Sequence, residues 1–227
     1  MIYKQSISVV VPIYNDSEVI HELIKRLSPV LESITADYEI ILVDDGSRDD
    51  SWLQMLAVRQ ANASIKAVRL SRNFGQQSAI AAGLSLTSKE LIVLMDSDLQ
   101  DRPEDIPVLI DALLADEKAT MAIAQWEERK DSRFKLAVSR LFQRVSNSIT
   151  EIHTMPRLGI FRVMKKSVVE ELRNFPEKTA TTVSLLYYIG SRYVAVPLKR
   201  DARFAGKSGY NLSKMLALTF ARSFSLS

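Results

Sequence analysis

Hydrophobic residues occur along this chain in short uninterrupted runs, which alternate with longer stretches that place apolar residues at helical spacing. The first 124 residues contain a series of such runs, and the runs end in polar or small residues. Uninterrupted apolar runs of this length are typical of strands buried on both faces of a parallel sheet, and the stretches between them predict connecting helices. The predicted strands are 7–13, 38–43, 65–70, 91–95 and 120–124, and the predicted helices are 18–33, 77–86, 104–115 and one that ends near residue 61.

The second half of the chain has a less regular pattern. Arginines and lysines flank the apolar positions of 132–149, so a helix there would pack either on the core or beside anionic lipid. The regular alternation in the first half predicts an α/β fold with a doubly wound, mostly parallel sheet and helices on both faces. We predict one domain over 1–199, followed by a basic loop and an amphipathic helix over 200–227. The predicted elements of this half are strands 158–163 and 193–199 and helices 132–149, 167–173 and 212–226.

Small and polar residues mark the expected helix ends. Ser17 is a candidate N-cap for the first helix, and Ser47 or Asp49 for the second. Gly46 permits a turn with a positive φ angle. Small residues in the third helix would let it lie close to a neighbour, namely Ala79, Ala81, Ala82 and Gly83.

Acidic residues follow two of the predicted strands. Asp45 and Gly46 come just after the second strand, and Asp96, Ser97 and Asp98 come just after the fourth. Parallel strands bring their carboxyl ends to one edge of the sheet, where open α/β sheets bind ligands. Two carboxylates one residue apart can reach one Mg²⁺ or Mn²⁺ ion that bridges a diphosphate, and a small serine between them lets a phosphate come close. Taken alone, the Asp-x-Asp sequence is more typical of a solvated turn after a strand.

Composition limits the function classes. The 227 residues include 47% hydrophobic and 25% charged residues, which suits a full α/β core, and the net charge of +3 does not indicate a nucleic-acid partner. The absence of cysteine excludes disulfides and thiolate metal sites, and two histidines are too few for a histidine zinc site. No signal-peptide pattern and no run of 18 apolar residues occur, so we expect a chain on the cytoplasmic side without a transmembrane helix.

Several segments resemble, in their order and spacing, the motifs of the family 2 glycosyltransferases, which have the GT-A fold. Within that family the chain is most similar to the polyprenyl-phosphate glycosyltransferases, the group of dolichol-phosphate mannose synthase and undecaprenyl-phosphate glucosyltransferases. The resemblance covers nearly the whole chain. Its motifs are VVPIYND (10–16), VDDGSRD (43–49), RNFGQQSAIAAG (72–83), MDSDLQDRPED (95–105), DSRFK (131–135) and RFAGKSGYNLSKM (203–215).

The resemblance implies a role for particular residues. It implies a divalent cation, Mg²⁺ or Mn²⁺, held by Asp96, Asp98 and Gln100, with Asp98 and Arg203 as catalytic residues. Asp45 would accept a hydrogen bond from the base of a UDP-, dTDP- or GDP-linked sugar. The residues implied to bind this nucleotide-sugar are Pro12, Tyr14, Asp16, Asp45, Gly46, Ser97, Arg133, Lys135, Arg203, Lys207 and Ser208.

The chain departs from the family pattern at several positions. Ile160 stands where the family commonly has the acid of Gly-Asp-Phe-Arg, a candidate general base. Asp16 replaces a glutamate, Gln125-Trp126-Glu127 replaces Gly-x-Arg, and Gly209 replaces the lysine of Ser-Lys-Tyr. A phosphate acceptor, with a second pKa of about 6, is already a nucleophile at neutral pH, whereas a sugar hydroxyl needs a base more.

Three hypotheses follow. The first is an inverting, metal-dependent transferase that moves a sugar to a polyprenyl phosphate, with peripheral contact to the inner membrane face through 132–149 and 212–227. The second is a transferase with a saccharide acceptor in O-antigen, capsule or other cell-envelope polysaccharide synthesis. The third is a nucleotide-sugar-binding homologue without activity, against which the intact Asp45, Asp96 and Asp98 argue. A homo-oligomer is compatible with each.

Overall fold

The computed structural model describes residues 2–126, 158–174 and 192–204, and strands and helices alternate through most of this part of the chain. The predicted helices 132–149 and 212–226 lie outside the described residues, as does most of the segment 200–227. The elements in chain order are β1 (Ile7–Ile13), α1 (Ile20–Ile34), β2 (Tyr38–Asp44), α2 (Ser51–Ala61), β3 (Ile65–Arg69), α3 (Gln76–Ser85), β4 (Leu91–Leu94), a 3₁₀ turn (Pro103–Asp105), α4 (Ile106–Ala115), β5 (Met121–Trp126), β6 (Leu158–Lys165), α5 (Lys166–Asn174) and β7 (Tyr193–Leu198).

These strands form one mostly parallel sheet, as the sequence predicts, and their order in it is β3-β2-β1-β4-β6-β5-β7. β1 pairs in parallel with β2 and β4, β2 with β3, and β5 with β7. β6 is the exception, because it lies antiparallel between β4 and β5. The four strands from β3 to β4 therefore bring their carboxyl ends to one edge, which we call the carboxyl edge.

Helices cover both faces of the sheet, which confirms the predicted layering. On one face, α1, α2 and α4 pack on alternate strand residues such as Val9 and Val11. On the other face, α3 and α5 pack on the residues between them, such as Val10. β1 is buried at all seven positions because it lies inside the sheet and is covered on both sides.

Pro12 lies within a central strand, at the point where the pairing of that strand with β4 ends. The Val10 carbonyl accepts from the Met95 N–H, and the Ile13 carbonyl accepts from the Asp45 N–H. Backbone groups alternate between neighbours along a strand, so the nitrogen of Pro12 is directed toward the β4 side. The paired residues of β4 end at Leu94, opposite Val10, so the missing N–H of Pro12 lies where this pairing stops.

The third helix lies close to the sheet because one of its residues has no side chain. A Cβ atom on Gly83 would lie 3.1 Å from Val43 Cγ2 and would overlap the side chain of Val10. Ala79 is also buried in this contact, whereas Ala81 is exposed, because the helical repeat turns it to solvent. The predicted close packing is therefore confirmed for Ala79 and Gly83 and wrong for Ala81.

The predicted capping by Ser17 and Ser47 is wrong. α1 begins after Val19 and α2 after Asp50, in both cases without a side-chain cap. The N–H of Ser17 instead donates to Asp49 Oδ2 at 3.1 Å, because the loops after β1 and β2 are bonded to each other. Asp49 comes nearest to its predicted role, since its Oδ1 accepts from the N–H of Ser51 at 3.0 Å.

A buried carboxylate holds the opposite edge of the sheet together. Glu39 is 4% exposed and accepts from Ser8 Oγ at 2.6 Å and from the Ser88 N–H at 2.8 Å. Lys66 Nζ lies 2.5 Å from its second oxygen.

Among the described helices, none has the length and the apolar character that a membrane span requires.

Candidate active site at the carboxyl edge

The loops that follow β1 and β2 form one hydrogen-bonded unit. The N–H of Asn15 donates to Ser47 Oγ at 2.9 Å, and Asn15 Oδ1 accepts from the N–H of Arg48 at 2.9 Å. The N–H of Asp16 donates to Ser51 Oγ at 3.0 Å. Asn15 has a φ angle of 51°, a conformation that asparagine adopts more readily than most residues. The two loops therefore present a fixed surface to a ligand.

Asp45 connects this unit to the loop after β3. Its two oxygens accept the backbone N–H groups of Phe74 and Gly75 at 2.8 and 2.9 Å. Burial raises the pKa of Asp45, although these two donors oppose the increase. Gly75 is the N-cap of α3, so Asp45 holds the start of that helix, a role that sequence reasoning missed. A carboxylate has about four acceptor sites, so these two bonds leave further acceptor capacity on Asp45.

An open pocket of about 580 Å³ lies beside this unit. Tyr14, Gly46 and Ser47 line one side of it, and the residues from Arg69 to Asn73 line the other. Gly46 has a φ angle of 67°, and a Cβ atom there would lie 2.6 Å from the backbone nitrogen of Asn73. Only glycine fits such a position, so Gly46 allows the loop after β3 to approach. The volume lies within the range of small-molecule sites.

Arginines give this pocket a positive lining. Arg69 pairs with the buried Asp44 at 3.0 Å and lies 5.7 Å from the centre of the Trp52 ring. Arg72 lies over the ring of Phe74 at 4.7 Å. These contacts hold the guanidinium groups in place and suit the pocket to a ligand with anionic or acceptor groups.

The segment 96–101, which we call the acidic loop, follows β4 at the same edge. Asp98 Oδ1 accepts from the N–H of Gln100 at 3.0 Å, an Asx turn that stabilises the bend. Leu99 within this bend is buried and has a φ angle of 58°. Asp96 Oδ1 accepts from Gln76 Nε2 at 2.8 Å, so the first residue of α3 also holds the loop.

Ser97 joins the acidic loop to the loop after β1. Its Oγ donates to Asp16 Oδ2 at 2.6 Å. Burial raises the pKa of Asp16, and the bond from Ser97 and the charge of Arg203 oppose this increase. The structure thus brings together Asp16 and Ser97, two residues that the resemblance assigns to the donor.

The segment 199–204, which we call the arginine segment, lies across the acidic loop. Arg203 Nη2 is 2.9 Å from Asp98 Oδ2. Arg200 Nε is 3.2 Å from Asp101 Oδ1, and its Nη2 is 3.6 Å from Asp96 Oδ2. Two backbone hydrogen bonds complete the contact. The N–H of Asp201 donates to the carbonyl of Gln100 at 3.1 Å, and the N–H of Phe204 donates to the carbonyl of Asp98 at 3.2 Å.

Trp126 packs against the arginine segment through Arg200. The Arg200 guanidinium lies 5.0 Å from the centre of its ring. The indole also lies against Gly159, where a Cβ atom would lie 2.8 Å from Trp126 Cε2. Ile160 follows in β6 and is half-buried against the α3 side of the sheet. Its carbonyl accepts from the buried Arg162 at 2.9 Å.

The acidic loop carries more negative charge than its partners neutralise. Burial, together with the charge of Asp98, raises the pKa of Asp96 to about 6. Burial, together with the charge of Asp96, raises the pKa of Asp101 to about 7. Asp101 Oδ2 is buried and has no hydrogen-bond partner among the residues that the structure covers. A cation near this loop would relieve the repulsion.

The carboxylates of the acidic loop would suit a divalent cation that also binds a diphosphate. Asp96 and Asp98 offer hard carboxylate oxygens, which Mg²⁺ and Mn²⁺ prefer, and such ions commonly use one or two carboxylates together with phosphate oxygens and water. Within residues 2–126, 158–174 and 192–204, no group of three or more His, Cys, Asp or Glu side chains forms a metal cluster. Gln100 Nε2 donates a hydrogen bond to the carbonyl of Asp201 at 3.4 Å.

Most predicted site residues fall at this edge. Tyr14 and Gly46 line the pocket, Asp45 holds its neighbouring loop, and Pro12 precedes it in β1. Gln76, Asp101, Trp126 and Arg200 were given no role, although Gln76 and Asp101 lie within family motifs, Trp126 lies at a departure from the family pattern and Arg200 lies in the basic segment. The predicted residues Arg133, Lys135, Lys207 and Ser208 lie outside the described residues.

Relatives of this chain share most of its length. An uncharacterized glycosyltransferase of Synechocystis sp. is 35% identical over 222 residues, which are 97% of this chain and 70% of that protein. The undecaprenyl-phosphate 4-deoxy-4-formamido-L-arabinose transferase of Sodalis glossinidius is 33% identical over 219 residues, which are 94% of this chain and 65% of that protein. The chain therefore spans about two thirds of the length of these relatives.

A solved structure shows the same fold. Glucosyl-3-phosphoglycerate synthase from Mycobacterium tuberculosis, in complex with Mn²⁺, UDP-glucose and glycerol 3-phosphate, superposes with a TM-score of 0.70 at 20% identity. The match covers 98% of this chain and 79% of that one, and it confirms the predicted GT-A architecture.

The family is also matched directly by its sequence model. The model described as "Glycosyl transferase family 2" matches residues 8–173, a range that runs from β1 to the end of α5 and includes the pocket and the acidic loop. Together with relatives that keep more than 30% identity over nearly the whole chain, this match shows that the protein belongs to family 2 of the glycosyltransferases.

Proposed function

We propose that this chain transfers a sugar from a nucleotide diphosphate donor to a polyprenyl phosphate, with a divalent cation at Asp96 and Asp98. The observation that carries the proposal is the pairing of Asp98 with Arg203 and of Asp96 with Arg200, beside a pocket lined by Tyr14 and Gly46. A GT-A donor needs both features, one for the nucleoside and one for the diphosphate. We assign residues 1–199 to the catalytic domain and 200–227 to the segment that contacts phosphate and membrane.

The nucleoside would occupy the pocket. Tyr14 is 41% exposed there and offers an aromatic face on which a base can stack. Asp45 would accept an N–H of the base, and a uracil, thymine or guanine donor each presents one. The diphosphate would then extend along the loop after β1 toward Ser97, whose small side chain permits a close approach.

Charge stabilisation would accompany the transfer itself. The bond between the sugar carbon and the diphosphate oxygen breaks while an acceptor oxygen bonds to the opposite face of that carbon, which inverts its configuration. Asp96 and Asp98, assisted by Gln100, would hold the cation, which when bound neutralises charge on the diphosphate. Arg203 would donate to the departing phosphate oxygens, where negative charge increases in the transition state.

The acceptor is proposed from the chemistry of position 160. Ile160 has no carboxyl group, so a hydroxyl acceptor would lack the general base that the family commonly places at this position. A phosphate monoester with a second pKa of about 6 carries its own negative charge at neutral pH and needs no such base. The relative from Sodalis glossinidius is named for an undecaprenyl-phosphate acceptor, which supports this choice.

Transfer can be tested with radiolabelled UDP-, dTDP- and GDP-sugars in the presence of undecaprenyl phosphate and Mn²⁺. We expect a butanol-soluble product that disappears in Asp98→Asn. Asp116→Asn is a matched control, because Asp116 pairs with Arg192 at 3.8 Å at the opposite edge of the sheet. A water-soluble product with saccharide acceptors would instead support the saccharide alternative. No transfer from any donor would overturn the proposal.

A lipid acceptor also requires contact with the membrane surface. We propose peripheral binding at the cytoplasmic face through the predicted basic helices 132–149 and 212–226, without a nucleic-acid partner. Co-sedimentation with anionic vesicles at low and high salt measures this binding. Deletion of 212–227 is expected to weaken it, and a full chain that never sediments would contradict it.

A further inference from the structure

Two arginines take the place beside the acidic loop that a cation would need. Both oxygens of Asp98 are engaged, Oδ1 by the N–H of Gln100 at 3.0 Å and Oδ2 by Arg203 at 2.9 Å. Asp96 is engaged by Gln76 at 2.8 Å and faces Arg200 at 3.6 Å. A cation cannot use Asp98 Oδ2 in full while Arg203 remains on it, since both compete for the same lone pairs.

The two arginines are not held equally. Arg200 contacts the fully buried Asp101 at 3.2 Å and stacks on Trp126, which is itself packed on Gly159. Among the described contacts, Arg203 has one ion pair, with Asp98, and its side chain is as exposed as that of Arg200, about a third in each case. Release of Arg203 therefore disrupts fewer contacts than release of Arg200, which anchors the segment.

We propose that Arg203 acts as an internal counter-ion for Asp98 and leaves it for the donor diphosphate when a divalent cation binds, so that cation and donor bind cooperatively. The inference rests on the proposed function, because it assumes a donor diphosphate at this edge. Without a donor, the cation must compete with Arg203 and binds weakly. With a donor present, the phosphates take over the guanidinium and the carboxylate becomes available, so each ligand strengthens the other.

A purely structural ion pair would behave differently. Its loss would loosen the acidic loop and weaken the cation and the donor alike. The counter-ion role predicts effects of opposite sign from one substitution, because Arg203 opposes the cation alone but supports the diphosphate. This difference in sign separates the two roles.

The test measures Mn²⁺ binding to the full chain by electron paramagnetic resonance, first without nucleotide. Arg203→Gln is expected to tighten Mn²⁺ binding by about three- to tenfold, because one partly exposed ion pair no longer competes. Titration with UDP, dTDP and GDP at saturating Mn²⁺ then measures the donor side. For whichever nucleotide the wild type binds, the same variant is expected to lose about tenfold or more in affinity.

Arg192→Gln is the matched control, because it breaks an arginine–aspartate pair just before β7, at the far end of that strand from the arginine segment. Both affinities should stay at their wild-type values. Arg203→Lys, which keeps the charge but loses the planar fork, should change both affinities in the same directions by smaller factors. If circular dichroism shows that Arg203→Gln does not fold, the affinities of Arg203→Lys decide between the counter-ion role and the purely structural role.

Unchanged or weaker Mn²⁺ binding in the nucleotide-free Arg203 variants would overturn the counter-ion role, even if the wild type binds nucleotide with Mn²⁺ as proposed. A wild type that binds none of the three nucleotides with Mn²⁺ would overturn the proposed function, and the inference with it. The wild-type titration therefore distinguishes the two failures.

Discussion

Replacing Glu39 by Gln removes one charge from a site that is 4% exposed and surrounded by donors. The carboxylate accepts from Ser8 Oγ at 2.6 Å, from the Ser88 N–H at 2.8 Å and from Lys66 Nζ at 2.5 Å. Glutamine has the same shape, but its amide nitrogen cannot accept a hydrogen bond. The substitution therefore removes part of this network without a change in packing volume.

The size of the effect follows from the pKa of Glu39. Burial alone would raise this pKa, but hydrogen bonds from Lys66, Ser8 and Ser88 outweigh it and lower the pKa from 4.5 to about 2. A pKa that falls by this much on folding corresponds to about 3 kcal/mol of folding free energy. Because Lys66 is 50% exposed, solvent screens its contribution, and we expect about 2 kcal/mol at pH 7. The folded state has the lower pKa, so this stability is complete above pH 4.5 and is lost as the pH falls toward 2.

Urea unfolding at pH 7 and pH 3 measures the prediction. Glu39→Gln is expected to be about 2 kcal/mol less stable than the wild type at pH 7, and the gap should shrink below about 1 kcal/mol at pH 3. Glu32→Gln is the control, because Glu32 is exposed and accepts only from the Tyr38 hydroxyl at 3.1 Å among its described contacts. A gap of the same size at both pH values would refute the role of the charge.

Three substitutions at the carboxyl edge give further tests. Asp98→Asn should abolish Mn²⁺-dependent nucleotide binding in titration calorimetry while the circular dichroism spectrum stays unchanged, and undiminished binding would contradict the cation site. Asp45→Ala removes the acceptor of two backbone N–H groups, so the unfolding free energy should fall by about 3 kcal/mol, and UDP, dTDP or GDP binding should weaken by about 1.5–3 kcal/mol. Wild-type affinity for all three nucleotides would show that Asp45 does not read the base. Gly46→Ala places a Cβ atom against Asn73 at a φ angle of 67°, so we expect at least 1–2 kcal/mol of destabilisation and a lower melting temperature; an unchanged value would contradict the close approach of the loops.

The apolar runs predicted the sheet well because burial on both faces leaves a strong local signal. β1, β2 and β4 lie where their runs are, and the acids that follow them meet at one edge because the strands are parallel. The direction of β6 could not be predicted in this way. An apolar run shows that a strand is buried, but the antiparallel position of β6 between β4 and β5 depends on partners about 33 to 74 residues away.

Contacts between distant loops account for the other misses. Ser17 has the chemistry of a cap, yet the loop after β1 uses its backbone to reach Asp49. Arg200 and Asp101 are 99 residues apart, and nothing local marks either as the partner of the other. Asp16 and Ser97 were each assigned to the donor by resemblance, but their direct bond, 81 residues apart, appears only when the chain is folded.

The start of α3 lies between two acids that come from different strands. Asp45 binds the backbone N–H groups before the helix, and Asp96 binds the side chain of its first residue, Gln76. Many nucleotide-binding folds direct the positive end of a helix dipole at the phosphates. Here the two carboxylates already balance the positive end of the helix dipole, so a further anion would be repelled from this end of the helix. If the proposed function holds, a diphosphate at this edge would be held by mobile positive charge. Its retention would then depend on ionic strength, which would give the protein a means of release once the sugar has been transferred.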